Sequence, residues 1–228
     1  MNILANNKEI VKGEEVTLEI EPGMDILEVN KKLAHQNMQL LREHNVKAID
    51  IMGSIGAGKT SLIEKLVQAL KNKYRIAVFK GDLTTTIDAE RIGRHGVKVV
   101  TINTGLECHL DANVVSKAVE RISLKDIDLL IIENVGNLIC PAEFPLGTEK
   151  RVVVVSVTEG PYMVLKHPFT FMTADVMAIN KKDLAEIMKV DTEQLEKQAK
   201  EIKPNMKVAV TNALTGEGVE ELIKALEL

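Results

Sequence analysis

The 228 residues predict an α/β domain, a mostly parallel sheet with helices on both faces, and three observations carry that reading. Short apolar runs alternate with amphipathic stretches from Val46 onward, the runs are continuous in Val and Ile, and a Gly-rich loop joins the first strong run to a helix. Continuous apolar runs suit strands covered on both sides, whereas a half-exposed strand alternates apolar with polar residues. Composition agrees: 45% apolar and 27% charged residues describe a soluble globular protein, and 3% aromatic content leaves aliphatic side chains to fill the interior. A net charge of -4, with no basic cluster beyond pairs such as Lys31 and Lys32, argues against a nucleic-acid partner. Met1 to Gly13 has no cationic segment followed by an apolar core, and no window reaches the ~18 apolar residues of a membrane span, so no membrane contact and a cytoplasmic location are expected.

Taken in order, residues 16–20 read as a short strand, Pro22-Gly23 as a turn and residues 25–44 as a helix with Ile26, Val29, Leu33, Leu40 and Leu41 apolar. These form an amino-terminal extension, residues 1–45, ahead of a domain at 46–228. Strands are expected at 47–52, 75–80, 98–102, 129–133, 151–157, 176–180 and 207–210. Between them, residues 60–72 carry Leu62, Leu66, Ala69 and Leu70 on one helical stripe, Asp191 with Gln194 resembles a capping box opening a helix to about Ile202, and a last helix runs over 218–228.

Gly53-Ser54-Ile55-Gly56-Ala57-Gly58-Lys59-Thr60 is a complete P-loop pattern standing between a strand and a helix, which makes the domain a P-loop NTPase. Small residues are needed because backbone N–H groups must wrap the phosphates closely; Lys59 then reaches the β- and γ-phosphates, the Thr60 hydroxyl ligates Mg²⁺, and Ser61 follows at the helix start. The loop alone separates neither ATP from GTP nor a small-molecule kinase from a hydrolase.

Asn180-Lys181-Lys182-Asp183, at the end of an expected strand, has the spacing of a guanine clamp. Asp183 can accept from guanine N1–H and the 2-amino group, Asn180 can brace neighbouring loops, and the Lys181 stem can lie on the base. Adenine lacks those donors and leaves the carboxylate unpaired. In the next loop, the Ala213 amide can meet guanine O6. Asp82, leading into Thr84, Thr85, Thr86 and Asp88, is assigned to the magnesium shell or the attacking water, with a plain turn acid as the alternative. Glu133 closes an apolar strand and can hold Mg²⁺ through water while the Gly136 amide contacts the γ-phosphate; a strand-end carboxylate paired to backbone is the alternative.

Two cysteines cannot build a disulfide framework. Cys108-His109 and Cys140 each follow an expected strand end, on the phosphate edge, and offer the soft and borderline donors that suit Zn²⁺ or Ni²⁺ rather than Mg²⁺. Spacing by itself leaves open that the thiols are small buried hydrophobes and His109 a helix-start residue.

Together the P-loop, Gly81-Asp82-Leu83, Glu107-Cys108-His109-Leu110-Asp111-Ala112, Glu133-Asn134-Val135-Gly136-Asn137-Leu138-Ile139-Cys140-Pro141 and Asn180 to Asp183 resemble the hydrogenase nickel-incorporation GTPases of the HypB family. The resemblance spans about residues 25–228. It implies a SIMIBI-type GTPase using GTP/GDP and Mg²⁺. It further implies a GTP-driven homodimer with Cys108, His109 and Cys140 holding Ni²⁺ or Zn²⁺ near the dimer contact, a HypA-type partner, and delivery towards a [NiFe]-hydrogenase large-subunit precursor. Many relatives also carry an amino-terminal cysteine motif or histidine-rich tract, and neither stands in residues 1–45. Urease accessory GTPases are the nearest rivals, but their Cys-Pro-His metal motif is absent here.

Overall fold

The computed structural model describes residues 8–12, 25–82, 87–105 and 107–228. Eight strands, β1 (Lys8–Lys12), β2 (Lys47–Gly53), β3 (Ile76–Asp82), β4 (Lys98–Asn103), β5 (Leu129–Glu133), β6 (Lys150–Ser156), β7 (Val176–Asn180) and β8 (Lys207–Val210), form one sheet in the order β1-β4-β3-β5-β2-β6-β7-β8. Every neighbouring pair is parallel. The seven strands read from the sequence are present, with ends shifted by a residue or two; β1 at the edge is an addition. The expected strand at 16–20 and the turn at Pro22-Gly23 lie outside the described residues.

Parallel pairing obliges each connection to cross over the sheet, and helices do this. They are α1 (Ile26–Glu43), α2 (Lys59–Leu70), α3 (Ile87–Gly93), α4 (Ala112–Glu120), α5 (Cys140–Glu143), α6 (Met163–Lys166), α7 (Pro168–Thr173), α8 (Ala185–Met188), α9 (Thr192–Ile202) and α10 (Val219–Leu226). The period-2 alternation of β2 sends Ile49 and Ile51 to one face, where Leu62 and Leu66 of α2 and Leu222 of α10 cover them. On the other face Phe79 and Ile132 pack with Leu41 of α1 and Val115 of α4, while Val153 and Val155 meet Phe171 and Leu195. Each fully buried Leu, Ile or Phe contributes about 1.5–3 kcal/mol, which is why the sandwich of layers holds without aromatic bulk. The Asp191 carboxylate caps α9 by accepting from the Glu193 amide at 2.9 Å rather than by a reciprocal box with Gln194, because the short aspartate closes on the nearer N–H.

Helix α1 docks differently from the apolar stripe its sequence suggests. Ile26 and Leu40 are exposed, and the buried positions are Asn30, Ala34, Asn37 and Leu41. Asn30 donates to Pro145 O at 2.9 Å and accepts from Ala112 N at 2.8 Å; Asn37 donates to Ala112 O and Leu146 O at 2.8 and 3.1 Å. Amides suit this interface because the surface beneath includes backbone of the 145–146 loop and of the start of α4, whose polar groups must be paired when buried. Gly147, in the left-handed region at φ +94, lets the loop touch the helix: a Cβ there stands 2.4 Å from Ala34 O. Gly147→Ala is expected to cost about 2 kcal/mol or more and to lower the melting temperature by roughly 5 °C, read by thermal denaturation. An unchanged melting temperature refutes the tight docking of α1.

Candidate nucleotide and metal site

The described residues singled out from the sequence gather at the carboxyl ends of the strands, on last strand positions, the loops that follow and the first turns of the next helices, where an open parallel sheet leaves its crevice. The P-loop runs from the end of β2 into α2, beginning at Gly53. Lys59 is buried and donates to Gly53 O at 2.9 Å and Ser54 O at 3.0 Å, so the ammonium folds back over the loop. Burial holds its pKa below that of an ordinary lysine, with the Glu133 carboxylate pulling the other way.

Next to it is an oxygen-rich cluster. Thr60 Oγ1 donates to Glu133 Oε1 at 2.7 Å and stands 3.4 Å from Asp88 Oδ2. Lys80 Nζ pairs with the same Glu133 oxygen at 3.0 Å and lies 3.9 Å from Asp88. Burial pushes the Glu133 carboxyl above the usual range, opposed by Lys80 and the Thr60 hydroxyl, and Glu133 Oε2 is buried without a hydrogen-bond partner. A buried, unpaired carboxylate oxygen beside a hydroxyl and a second carboxylate fits a hard divalent cation. Sequence reasoning misses Lys80, which reads only as a strand end; the available signal is a charge closing an apolar run. Asp82 ends β3 in the backbone, and the reading of its carboxylate, like that of Thr84 to Thr86, lies outside the described residues.

Gly136 lies against the P-loop, since a Cβ there stands 2.4 Å from Ile55 Cγ1. Asn137 makes an antiparallel bridge with Gly53. The segment after β5 and the P-loop are therefore in backbone contact.

On the far side, Asn180 ties three loops together. Its amide donates to Ala57 O at 2.9 Å, and its Oδ1 accepts from Thr211 Oγ1 at 3.2 Å and from Ala213 N at 3.0 Å. The Ala213 amide is thus engaged by Asn180, so meeting a guanine O6 requires sharing or releasing that bond. Asn180, Lys181, Asp183, Ala213 and Leu214 line a cavity of about 600 Å³ shared with Gly58 and Ser61.

Cys108, His109 and Cys140 converge. Their donor atoms all lie within 4.8 Å of one another, with the Cys108 and Cys140 sulfurs 3.1 Å apart and the His109 Nδ1 3.8 Å from Cys108 Sγ. Cys108 is exposed and the other two are half-buried, so the site is reachable from solvent. The hydrogen bond from Cys108 to Cys140 raises the Cys108 pKa, with burial assisting, while the Asn137 side chain acts in the opposite direction. Burial keeps His109 below its ordinary pKa, favouring the neutral imidazole that ligates metals. Two sulfurs and an imidazole nitrogen suit a borderline transition metal and leave a coordination position open.

The model of the CobW/HypB/UreG nucleotide-binding domain matches residues 47–210. The chain is 52% identical over 208 residues to a probable hydrogenase maturation factor HypB from Methanocaldococcus jannaschii, covering 91% of this chain and 94% of that protein. The crystal structure of hydrogenase maturation factor HypB from Archaeoglobus fulgidus superposes with a TM-score of 0.82 at 46% identity, covering 88% of this chain and 98% of that one. HypB from Helicobacter pylori, crystallised in complex with nickel, gives the same TM-score of 0.82 at 32% identity, over 87% of this chain and 94% of that one.

Proposed function

This chain belongs to the HypB family of hydrogenase maturation factors, and from that membership we propose that it is a GTP-hydrolysing nickel carrier whose nucleotide state sets the metal affinity of Cys108, His109 and Cys140. One observation carries the reading: a single eight-residue segment, 133–140, serves both sites. It opens with Glu133 on the Thr60 hydroxyl, passes Gly136 against Ile55, bridges Gly53 through Asn137, and ends on Cys140. A change in what the P-loop holds therefore moves a metal donor without an intermediary helix.

On this reading Lys59 and the P-loop amides from Gly53 to Thr60 bind the phosphates, and Asp183, Asn180 and Lys181 select guanine. Thr60, Glu133 and Asp88 would hold Mg²⁺, which when bound neutralises charge developing on the phosphates. Asp88 stands in the first turn of α3. Lys80 offsets the Glu133 charge when the cation leaves. Nickel is cargo, carried on two thiolates and an imidazole and passed towards a hydrogenase precursor, with a HypA-type protein as donor or acceptor. Zinc competes for the same donors. Two copies of the chain acting as a GTP-dependent dimer complete the proposal. Among the described residues no helix is long and apolar enough to cross a membrane.

The test is nickel affinity measured by chelator competition, once with a nonhydrolysable GTP analogue and once with GDP. A difference of about fivefold or more is expected, the lower range of typical allosteric coupling. Equal affinities overturn the coupling.

A further inference from the structure

Beneath the metal donors lies a buried polar group that neither the nucleotide nor the metal reading uses. Asp50, three residues before the P-loop, is fully buried on the sheet face where Ala48 and Met52 also point, between the two apolar clusters on that side. Its register partner on the adjacent strand is Arg151, and the two side chains pair at 3.3 Å. Burial pushes the Asp50 carboxyl upward, against the pull of Arg151 and Asn134. An ion pair in such a place contributes little net stability, because desolvation offsets attraction, and apolar residues of similar volume often serve as well. What the pair does offer is direction, since a guanidinium presents several N–H groups in a fixed fork.

Those groups reach the backing of the metal donors. Arg151 donates to Ala142 O at 3.1 Å and Phe144 O at 3.4 Å. Ala142 belongs to α5, which begins at Cys140, and the Phe144 ring lies on the His109 ring with centroids 4.0 Å apart. On the opposite side, Asn134 donates to Asp50 Oδ1 at 3.4 Å while its own Oδ1 accepts from Leu110 N, the residue after His109, at 3.0 Å. One buried pair is thus linked to the segment of Cys108 and His109 through Asn134, and to the segment of Cys140 through Arg151. Asn30 and Asn37 of α1 hold the same two segments from outside, at Ala112 and at 145–146.

We propose that Asp50 and Arg151, with Asn134, are positioning residues for the metal site: they set the separation of the two segments that carry the sulfur and imidazole donors. The inference rests on the metal reading above. Supporting groups behind metal ligands typically account for 10–100-fold in affinity, so the effect should be large.

The experiment compares wild type with the double variant Asp50→Val, Arg151→Met, which removes both charges together and so avoids stranding either one in the core. Three readouts are taken on the full chain: nickel affinity by chelator competition, GDP affinity, and, without metal, the rate at which a short bifunctional thiol reagent bridges Cys108 and Cys140. Expected are nickel binding weaker by roughly tenfold or more, slower bridging, and GDP affinity within about twofold of wild type. Nickel affinity and bridging rate both unchanged, in a variant that binds GDP normally, overturn the proposal. Should the double variant fail to bind GDP, Arg151→Lys decides: it keeps the charge opposite Asp50 but loses the fork to Ala142 and Phe144, and unchanged bridging there overturns the proposal equally. Cys140→Ser, run alongside, separates the two levels. If it binds nickel as wild type does, the metal reading fails, while the bridging rate still judges the positioning role.

Discussion

Lys59→Ala is expected to lose GTP affinity by about two to four orders of magnitude and GDP affinity, with one phosphate contact fewer, by about one to two, the largest effect of any single change in the nucleotide site. The ammonium is the one buried cation of the P-loop itself, and charge-assisted hydrogen bonds to the β- and γ-phosphates are worth about 1.5–3 kcal/mol each, or roughly 3–6 kcal/mol together for GTP and half that for GDP. Stability should move less. The substitution strips Gly53 O and Ser54 O of their donor, which is unfavourable, and removes a buried charge whose depressed pKa reports its desolvation, which is favourable. Titration with a fluorescent GDP analogue, paired with thermal denaturation, separates binding from folding. Competition by unlabelled GTP and ATP on the wild type tests the guanine reading in the same assay. Retained nucleotide affinity in Lys59→Ala, or ATP displacing the probe as well as GTP, contradicts the assignment.

Cys140→Ser is the second change with a large expected effect: nickel affinity should fall by about two orders of magnitude or more, and the sulfur-to-metal absorption of the loaded protein should weaken. A serine hydroxyl is protonated and hard at neutral pH, so it replaces neither the charge nor the polarisability of a thiolate. The Cys140 sulfur sits 3.1 Å from Cys108, and its loss leaves one thiol and one imidazole, too few donors to hold the ion in competition with a chelator. Because Cys140 is half-buried at the first position of α5, the fold and GDP affinity should change little. Nickel and zinc titrations that match wild type remove Cys140 from the site.

Much of the nucleotide half of the site is local and therefore readable. A strand, a Gly-rich turn and a helix adjacent in sequence are adjacent in space, so the letters from Gly53 to Thr60 imply their own geometry. The same holds for Asn180 to Asp183, which follow β7 directly. Other parts depend on which strands become neighbours. Lys80 gains meaning only because β3 lies beside β5, in register so that Lys80 faces Glu133. Asp50 looks like a misplaced charge in an apolar run until β6 places Arg151 opposite it. Amphipathic periodicity suggests an apolar docking face for α1, and the structure uses Asn30 and Asn37 beside Ala34 and Leu41, because part of the surface beneath presents backbone carbonyls and an amide that must be paired.

By itself the sequence determined the α/β architecture, the P-loop order of strand, loop and helix, and the identity of the soft donors, because these depend on short-range periodicity and residue chemistry. The tertiary structure decided that the sulfurs of Cys108 and Cys140, thirty-two positions apart, come to 3.1 Å, and that Glu133, Asn137 and Cys140 lie on one segment that touches the P-loop and ends beside Cys108. Strand order is a long-range outcome of burying every apolar run at once, and no local pattern encodes which loop ends will meet.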